Sequence, residues 1–206
     1  MSEPPSEHLK SSAREFTIIV ICALGLSVAF VYWLKSSGGL SQSGGLDVGK
    51  IAPPIEASVW VQGDAPDAKS LAGEVQVLIA WATWCVPCSR KAPELVELND
   101  RFADRGVRFF GLTDAPEQNR DRILEWLEDR KITWPNGFGE QAIETLLAYE
   151  SDVIPLIWVI GRDGTIVWNR SLEAEETLEQ AIERALEQPR VEQNRAAALH
   201  PRGDSP

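Results

Sequence analysis

The chain has 206 residues, which is enough for one domain of ordinary size with attached segments, and its 44% hydrophobic content can supply a core. The formal net charge of −11 argues against binding to nucleic acid, or to an anionic membrane surface, through a general basic field. Three cysteines alone do not assign a compartment, so the location has to be inferred from the N-terminus.

The first segments of the chain predict a membrane anchor. Residues 1–15 are polar and of mixed charge, which indicates a disordered tail. Residues 16–34 contain no charge, and as a helix they would measure about 28 Å, close to the hydrocarbon thickness of a bilayer. Tyr32 and Trp33 at the end of this span suit the membrane interface. The alternatives are a buried soluble helix, which rarely lacks a polar face, and a cleavable signal peptide, which usually has a shorter apolar region.

The distribution of positive charge sets the predicted orientation. Lys10 and Arg14 precede the span and Lys35 follows it, so the N-terminal tail is expected in the cytoplasm and everything after the span outside it. Cys22 inside the span is expected to be a small apolar filler. The rest of the chain divides into a Gly/Ser-rich flexible linker, a globular domain and a disordered tail, at residues 35–46, 47–188 and 189–206.

The strongest motif of the domain is Trp84-Cys85-Val86-Pro87-Cys88. It follows an apolar strand pattern at 75–81 and leads into a helical pattern, so Cys85 is expected at a helix N-terminus. Unpaired N–H groups and a partial positive charge stabilise a thiolate there, and cysteine pKa values fall from about 8.5 to roughly 3.5–7.5. Cys85 is therefore the predicted nucleophile, and Cys88 is the resolving thiol that closes a disulfide.

Three alternative roles for the C-x-x-C motif fit less well. A zinc site needs two more ligands, but the remaining candidates Cys22, His8 and His200 all lie outside the predicted domain. A purely structural disulfide would close a minimal loop and stabilise little. A papain-like nucleophile requires a histidine, and the predicted domain has none. We therefore predict redox exchange, without a metal or other cofactor.

Strand and helix patterns alternate through the domain. In order they are a strand at 58–61, a strand at 75–81, a helix at 87–104, a strand at 107–112, a helix from the capping-box-like residues 114–117 to 130, an irregular stretch at 133–139, a helix at 140–148, strands at 156–160 and 165–168, and a helix at 173–187. Asp163-Gly164 between the last two strands predicts a type I′ hairpin. Helical crossovers require parallel strands and the hairpin adds an antiparallel pair, which together indicate an α/β, thioredoxin-like fold with a mixed central sheet flanked by helices.

Four pieces of the sequence resemble one protein family. They are Val48-Gly49-Lys50-Ile51-Ala52-Pro53, the Trp-Ala-Thr-Trp-Cys-Val-Pro-Cys run at 81–88, Ile154-Pro155, and Arg162-Asp163-Gly164-Thr165-Ile166. The domain is similar, over 47–187, to the membrane-anchored thiol-disulfide oxidoreductases of bacteria related to TlpA and ResA. This resemblance implies a domain on the outer side of the cytoplasmic membrane that reduces or exchanges disulfides of other proteins, often in cytochrome c maturation. A membrane redox partner would then recycle its dithiol.

The resemblance also suggests substrate-binding residues. In thioredoxin-like proteins the proline that opens this strand, here Pro155, is cis and packs beside the cysteines, whereas sequence alone favours an ordinary trans bond. The preceding residue, here Ile154, hydrogen-bonds to the substrate backbone. Trp84 is expected at an apolar rim that receives a partner protein. The other domain tryptophans are expected to pack inside the fold: Trp60, Trp81, Trp126, Trp134, Trp158 and Trp168.

Two positions depart from the family pattern. Many thioredoxins carry a buried acid six residues before the first cysteine, where this chain has Ile79, and relatives of ResA carry a glutamate three residues after the second, where this chain has Lys91. Lys91 is either a solvated surface residue or a charge that favours the Cys85 thiolate. Deprotonation of Cys88 would then depend on water, on Lys91 or on a carboxylate such as Glu94.

Two further functions remain as alternatives. A redox-inactive anchored binding module could keep the fold and present Trp84 and Ile154 to a partner, and the missing acids favour this possibility. A thiol peroxidase usually has a threonine three residues before its reactive cysteine, and this chain has Ala82 there.

Overall fold

The computed structural model of the chain describes Gly25, residues 44–67, Leu71, and residues 73–170 and 176–189. The predicted tail 1–15, all of the predicted anchor 16–34 except Gly25, most of the linker and nearly all of the C-terminal tail lie outside the described residues. No helix within the described part is long and apolar enough to cross a membrane.

The domain is built on one mixed sheet of six strands, whose order is β1-β4-β3-β2-β5-β6. The strands are β1 Val59–Val61, β2 Val75–Ala80, β3 Val107–Leu112, β4 Asn136–Phe138, β5 Leu156–Ile160 and β6 Ile166–Asn169, and the α-helices are α1 Val86–Phe102, α2 Arg120–Asp129, α3 Glu140–Ala148 and α4 Leu178–Glu187. β2 and β4 run parallel to β3, and the other pairs are antiparallel. The predicted thioredoxin-like α/β fold with a mixed sheet is confirmed.

Two apolar layers cover the two faces of the sheet. Successive strand residues point to opposite faces, so Val77 and Ile79 enter one layer while Leu78 and Ala80 enter the other. The first, here called the cysteine layer, includes residues of α1, α2 and α4, among them Trp81, Cys85, Cys88, Phe102, Trp126, Trp134 and Ile182. The second, here called the tyrosine layer, includes residues of α3 and of the chain before β1, among them Ile55, Ala57, Leu146, Tyr149 and Trp158.

The helix after β3 starts later than predicted, and residues 114–117 form no capping box. Pro116 is extended, with φ −70° and ψ 159°, and a 3₁₀ turn over Glu117–Asn119 precedes α2. No side chain caps the turn at Pro116 or α2 at Asn119. The capping-box prediction was wrong because a residue before proline, here Ala115, is disfavoured in the helical conformation that the first turn would require.

The stretch 133–139, predicted as irregular, contains the short strand β4. β4 pairs parallel to β3 through Asn136 and Gly137 and antiparallel to β1. The three residues of this strand, Asn-Gly-Phe, are poor or mixed in strand propensity, so its pairing depends on the two neighbouring strands rather than on local sequence.

The C-terminal hairpin matches the prediction in position, but its turn type and the start of the following helix differ from the prediction. The Gly164 N–H donates to the Gly161 carbonyl at 2.9 Å, and Gly164 has φ +81°. A type I′ turn would also need positive φ at Asp163, which is not among the residues with that conformation, so the predicted turn type was wrong. Thr177 and Gln180 form a capping box that starts α4, five residues after the predicted start.

The first described residues of the domain pack tightly against it. A Cβ at Gly44 would lie 2.7 Å from Val153 Cγ2, and Gly45 has φ +99°, which suits only glycine. The Leu46 N–H donates to the Tyr149 carbonyl at 2.8 Å. These three residues, assigned to the linker from sequence, therefore pack against the folded domain, and Gly44 contacts the loop that precedes β5.

Candidate active site

The two cysteines lie at the junction between β2 and α1. Cys85 is the N-cap of α1, and its Sγ accepts a hydrogen bond of 3.1 Å from the Cys88 N–H. The two residues form a disulfide with Cα atoms 5.2 Å apart, and they are only 2% and 4% exposed. Pro87 stands in the first turn, where its missing N–H costs nothing. A thiolate on Cys85 would face the positive end of the helix, as the motif predicts.

Ile154 and Pro155 lie beside the cysteines. The Ile154–Pro155 peptide bond is cis, as the resemblance implies. Pro155 directly precedes β5, whose first residue pairs with the last residue of β2, and Pro155 lines the same cavity as Cys88. Ile154 is half-buried and packs against both apolar layers. The structure thus brings all of the predicted site residues except Trp84 into contact with the core around the disulfide.

Exposed apolar side chains are next in sequence to Cys85 and to Ile154. Trp84 is 68% exposed next to Cys85, and Val86 and Val153 are also exposed. A depression of about 180 Å³ lies next to Ile154 and extends to Leu147 on α3, which is 70% exposed. Exposed apolar side chains of this kind are found at protein interaction sites.

A small apolar cavity lies behind Cys88. It offers about 20 Å³ to the centre of a water molecule, which is room for one. No charged side chain lines it among the described residues; the residues that matter here are Ile79, Trp81, Trp126, Trp134, Asn136 and Pro155. Ile79, which replaces the buried acid of many thioredoxins, is therefore part of the wall next to the resolving cysteine.

The charged side chains suggested as proton acceptors do not line this cavity. Lys91 Nζ binds both carboxylate oxygens of Glu94, at 2.6 and 2.7 Å, in an exposed pair on α1. The lysine therefore neutralises the carboxylate that was considered as a base for Cys88. No group of three or more His, Cys, Asp or Glu side chains in the described part of the chain could hold a metal ion.

A hydrogen-bonded aromatic cluster forms the wall of the cavity. Trp81 Nε1 donates to Asn136 Oδ1 at 3.0 Å, and Asn136 Nδ2 donates to the Trp134 carbonyl at 2.7 Å. The Trp81 ring stacks on Trp126, with ring centroids 4.2 Å apart and planes at 18°. From the sequence these tryptophans were expected only to pack, and Asn136, which is 1% exposed, was missed.

Arg130 lies against this cluster and was also missed. Its Cζ is 4.2 Å from the centroid of the Trp126 ring, its Nε donates to Ser89 Oγ at 3.1 Å, and its Nη1 donates to the Trp126 carbonyl at 3.0 Å. The sequence did contain a signal for the contact between Arg130 and Trp126. The two residues are four apart, and residues at that spacing are neighbours on a helix face. Ser89 directly follows Cys88, so the guanidinium is tied to the first turn of α1.

Comparison with known proteins gives a consistent result. The sequence profile of the AhpC/TSA family matches residues 48–169. The thiol-disulfide oxidoreductase ResA of Bacillus cereus is 25% identical over 175 residues, which cover 85% of this chain and 96% of that protein. Protein FixW of Rhizobium leguminosarum is 30% identical over 133 residues, which cover 60% of each chain.

Solved structures support the same fold. A thiol:disulfide interchange protein of the thioredoxin family from Chlorobium tepidum superposes with a TM-score of 0.56 and 22% identity, covering 68% of this chain and 99% of that one. The thioredoxin domain of a thiol-disulfide oxidoreductase from Bacteroides vulgatus gives a TM-score of 0.56 with 19% identity, covering 68% and 95% of the two chains. At these identities the likeness is one of fold.

Proposed function

The chain belongs to the AhpC/TSA family and is a thiol-disulfide oxidoreductase of the ResA type, and we propose that it is a membrane-tethered reductant of disulfides in extracytoplasmic proteins. The observation that carries the proposal is the position of Cys85 at the N-terminus of α1, with Cys88 one turn inside. This arrangement provides one attacking thiolate and one resolving thiol.

The proposed reaction transfers two electrons to a partner protein. The Cys85 thiolate attacks a substrate disulfide, one substrate sulfur leaves as a thiolate, and a mixed disulfide forms. Cys88 then attacks the Cys85 sulfur, which releases the second substrate thiol and leaves Cys85–Cys88 oxidised. Trp84 and Ile154 would contact the substrate chain beside Pro155, because Trp84 is exposed next to Cys85 and Ile154 directly precedes Pro155, which lines the cavity at Cys88.

The location and the substrates are also part of the proposal. Residues 16–34 would anchor the chain in the cytoplasmic membrane, with the domain on the extracytoplasmic side, because of their uncharged length and the preceding Lys10 and Arg14. A membrane redox partner would then return the domain to its dithiol form. The likeness to the ResA family makes the disulfides of proteins in cytochrome c maturation the first substrates to test.

A trapping experiment tests the proposed roles of the cysteines. Full-length Cys88→Ser is expected to accumulate mixed disulfides between Cys85 and its substrate proteins, because the resolving thiol is missing. Cys85→Ser is the matched control and should trap nothing. Absence of any mixed disulfide with Cys88→Ser, in cells that contain the substrates, would contradict the proposed mechanism.

The reduction potential of Cys85–Cys88 tests the direction of electron flow. A value near about −250 mV or lower, as in thioredoxin, supports a reductant supplied with electrons through the membrane. A value near about −120 mV would indicate an oxidant and contradict the proposed direction.

One observation favours a second candidate, a redox-inactive binding module. No charged group of the described residues lines the cavity at Cys88, so proton transfer has no evident acceptor there. Undiminished cellular function of Cys85→Ser would support this second candidate. Peroxidase activity is not favoured, because Ala82, 2% exposed, has no hydroxyl to place near Cys85.

A further inference from the structure

The resolving cysteine lies in surroundings that disfavour the form in which it reacts. Cys88 must become a thiolate to attack the Cys85 sulfur of the mixed disulfide. Its cavity has apolar and aromatic walls, with the amide of Asn136 as a polar group, and burial in such surroundings disfavours a thiolate. Some other feature of the site must therefore stabilise the developing negative charge.

The charged groups near Cys88 can be compared element by element. On α1, Lys91 and Glu94 neutralise each other. In the loop after β3, Asp114 lines the depression next to Ile154, which Trp81 also borders, and it does not line the cavity at Cys88. At the end of α2, Arg130 forms no ion pair with any carboxylate among the described residues. Arg90 on α1 also forms no ion pair among the described residues, but it is exposed, whereas the half-buried guanidinium of Arg130 lies over Trp126 in the cavity wall.

The contacts of Arg130 hold this charge against the cavity wall. Trp126 has Trp81 stacked on it and Arg130 over its ring, and it also lines the cavity at Cys88. The bond to Ser89 Oγ fixes the guanidinium to the residue next to Cys88, and the bond to the Trp126 carbonyl fixes it to α2. Three contacts to three different groups leave the half-buried guanidinium little freedom to turn away toward solvent.

We propose that Arg130 is a positioning residue for thiol-disulfide exchange, which stabilises the Cys88 thiolate through its placement beside Trp126 and Ser89. This inference rests on the proposed order in which Cys85 attacks and Cys88 resolves. In the step concerned, the Cys88 thiol gives its proton to water, and the thiolate attacks the Cys85 sulfur. The Cys85–substrate bond breaks as the Cys85–Cys88 bond forms, and the substrate sulfur leaves with the electron pair and takes a proton from water.

A two-phase reaction with dithiobis(nitrobenzoate) separates the two cysteines. The reduced full-length chain, carrying Cys22→Ala so that only two thiols remain, is mixed with one equivalent of the reagent. Attack by Cys85 releases the first thionitrobenzoate, and resolution by Cys88 releases the second in a unimolecular phase. The pH midpoint of the second phase reports the ionisation of Cys88.

Arg130→Gln removes the charge but keeps a planar amide that can donate to Ser89. We expect the midpoint of the second phase to rise by about half a unit to one unit, because a nearby positive charge is lost. Below the midpoint this slows the second phase roughly 3–10-fold, while the rate at high pH stays the same. Arg130→Lys keeps the charge and should retain most of the rate.

Arg105→Gln is the matched control. Arg105 also lies over an aromatic ring, with its Cζ 4.8 Å from the Phe102 centroid, but beyond the other end of α1. Arg105→Gln should leave the rates and the pH midpoints of both phases unchanged. If Arg130→Gln does not fold, Ser89→Ala provides a second variant, and it should move the midpoint in the same direction by a smaller amount because the guanidinium is released.

The outcomes separate the two proposals. An unchanged midpoint in Arg130→Gln and Ser89→Ala would overturn the role of Arg130, as would an equal shift in Arg105→Gln. A lower rate at high pH without a shifted midpoint would show a purely structural role and would also overturn it. A wild-type chain that gives no second phase would instead contradict the proposed roles of Cys85 and Cys88.

Discussion

The cysteine layer and the tyrosine layer each bury a polar aromatic side chain, but they use it differently. In the cysteine layer the Trp81 N–H binds Asn136 at the wall of the Cys88 cavity. In the tyrosine layer the Tyr149 hydroxyl donates to the Pro53 carbonyl at 2.8 Å. The first bond shapes a cavity next to reacting sulfurs, and the second ties the chain before β1 to α3.

The difference shows how one fold separates reactivity from stability. Two further hydrogen bonds join α3 to the chain before β1 at the tyrosine layer. Thr145 Oγ1 donates to the Glu56 carbonyl at 2.9 Å and accepts from the Glu56 N–H at 3.2 Å. The cysteine layer instead keeps a small cavity beside Cys88. Substitutions of polar groups in the cysteine layer should therefore change both reactivity and stability, and those in the tyrosine layer should change stability alone.

The largest effect is expected for Asn136→Asp. A carboxylate at this position cannot donate to the Trp134 carbonyl and would be buried in the cavity wall, so we expect a loss of about 3 kcal/mol near neutral pH. Burial raises the pKa of the new carboxyl in the folded state. The loss should therefore be small at acidic pH and grow as the pH rises above about 4, as urea unfolding at several pH values will measure.

Asn136→Asp should also slow the second phase of the thiol reaction, because it places a negative charge near Cys88. Asn169→Asp is the control. Asn169 Nδ2 donates to the Leu46 carbonyl at 3.1 Å, so its substitution should cost stability without affecting either phase. If Asn136→Asp and Asn169→Asp slow the second phase equally, the slowing does not come from a charge near Cys88, and the proposed separation of reactivity from stability is contradicted.

A smaller effect is expected at Tyr149. Burial raises the pKa of its hydroxyl well above the usual range, so the folded state keeps the proton where the unfolded chain would lose it. The stability that depends on this group is complete below about pH 10 and is lost as the pH rises further. Tyr149→Phe should lose about 1 kcal/mol near neutral pH and show a shallower decline at alkaline pH.

Urea unfolding of wild type and Tyr149→Phe, at neutral pH and above about pH 10, measures both parts of this prediction. If the free energy of unfolding falls equally at alkaline pH in the two proteins, groups other than Tyr149 cause the fall. A changed thiol reaction in Tyr149→Phe would show that the tyrosine layer also controls the cysteines.

The smallest effect is expected at the outer edge of the cysteine layer. Arg101 on α1 and Glu179 on α4 form an ion pair of 2.9 Å in which both side chains are more than two-fifths exposed. Glu179→Gln should change stability by at most about 0.5 kcal/mol, because exposed pairs are weak and screened by salt. A loss above about 1 kcal/mol in chemical unfolding, persisting in high salt, would show that this surface contributes to the layer beneath it.

The sequence was informative where structure depends on neighbours along the chain. The apolar run of β2 followed by Cys85, Pro87 and Cys88 predicted the strand-to-helix junction, and the predicted bounds of β3 and α3 agree with the structure. These elements are defined by periodicity, proline and the helix start, all of which act over a few residues.

The sequence was uninformative where contacts join distant residues. Trp81 and Asn136 are 55 positions apart, and Ser89 and Arg130 are 41 apart, so no local pattern could pair them. β4 was missed for the same reason, since its strand character comes from β1 and β3. The positions of Cys85 and Cys88 were therefore predictable, but the groups around Cys88 were not.

The tight packing of Gly44 and Gly45 has a mechanical consequence. Gly44 meets Val153 in the loop that carries Ile154 and Pro155, and Gly45 meets Leu156 and Trp158 of β5, so tension applied to the chain from its N-terminal side is transmitted to that loop and to the strand that follows it. A force on the N-terminal side of the domain would thus act on the loop of Ile154 and Pro155 as well as on β5, and so on the position of the cis-proline beside the cysteines.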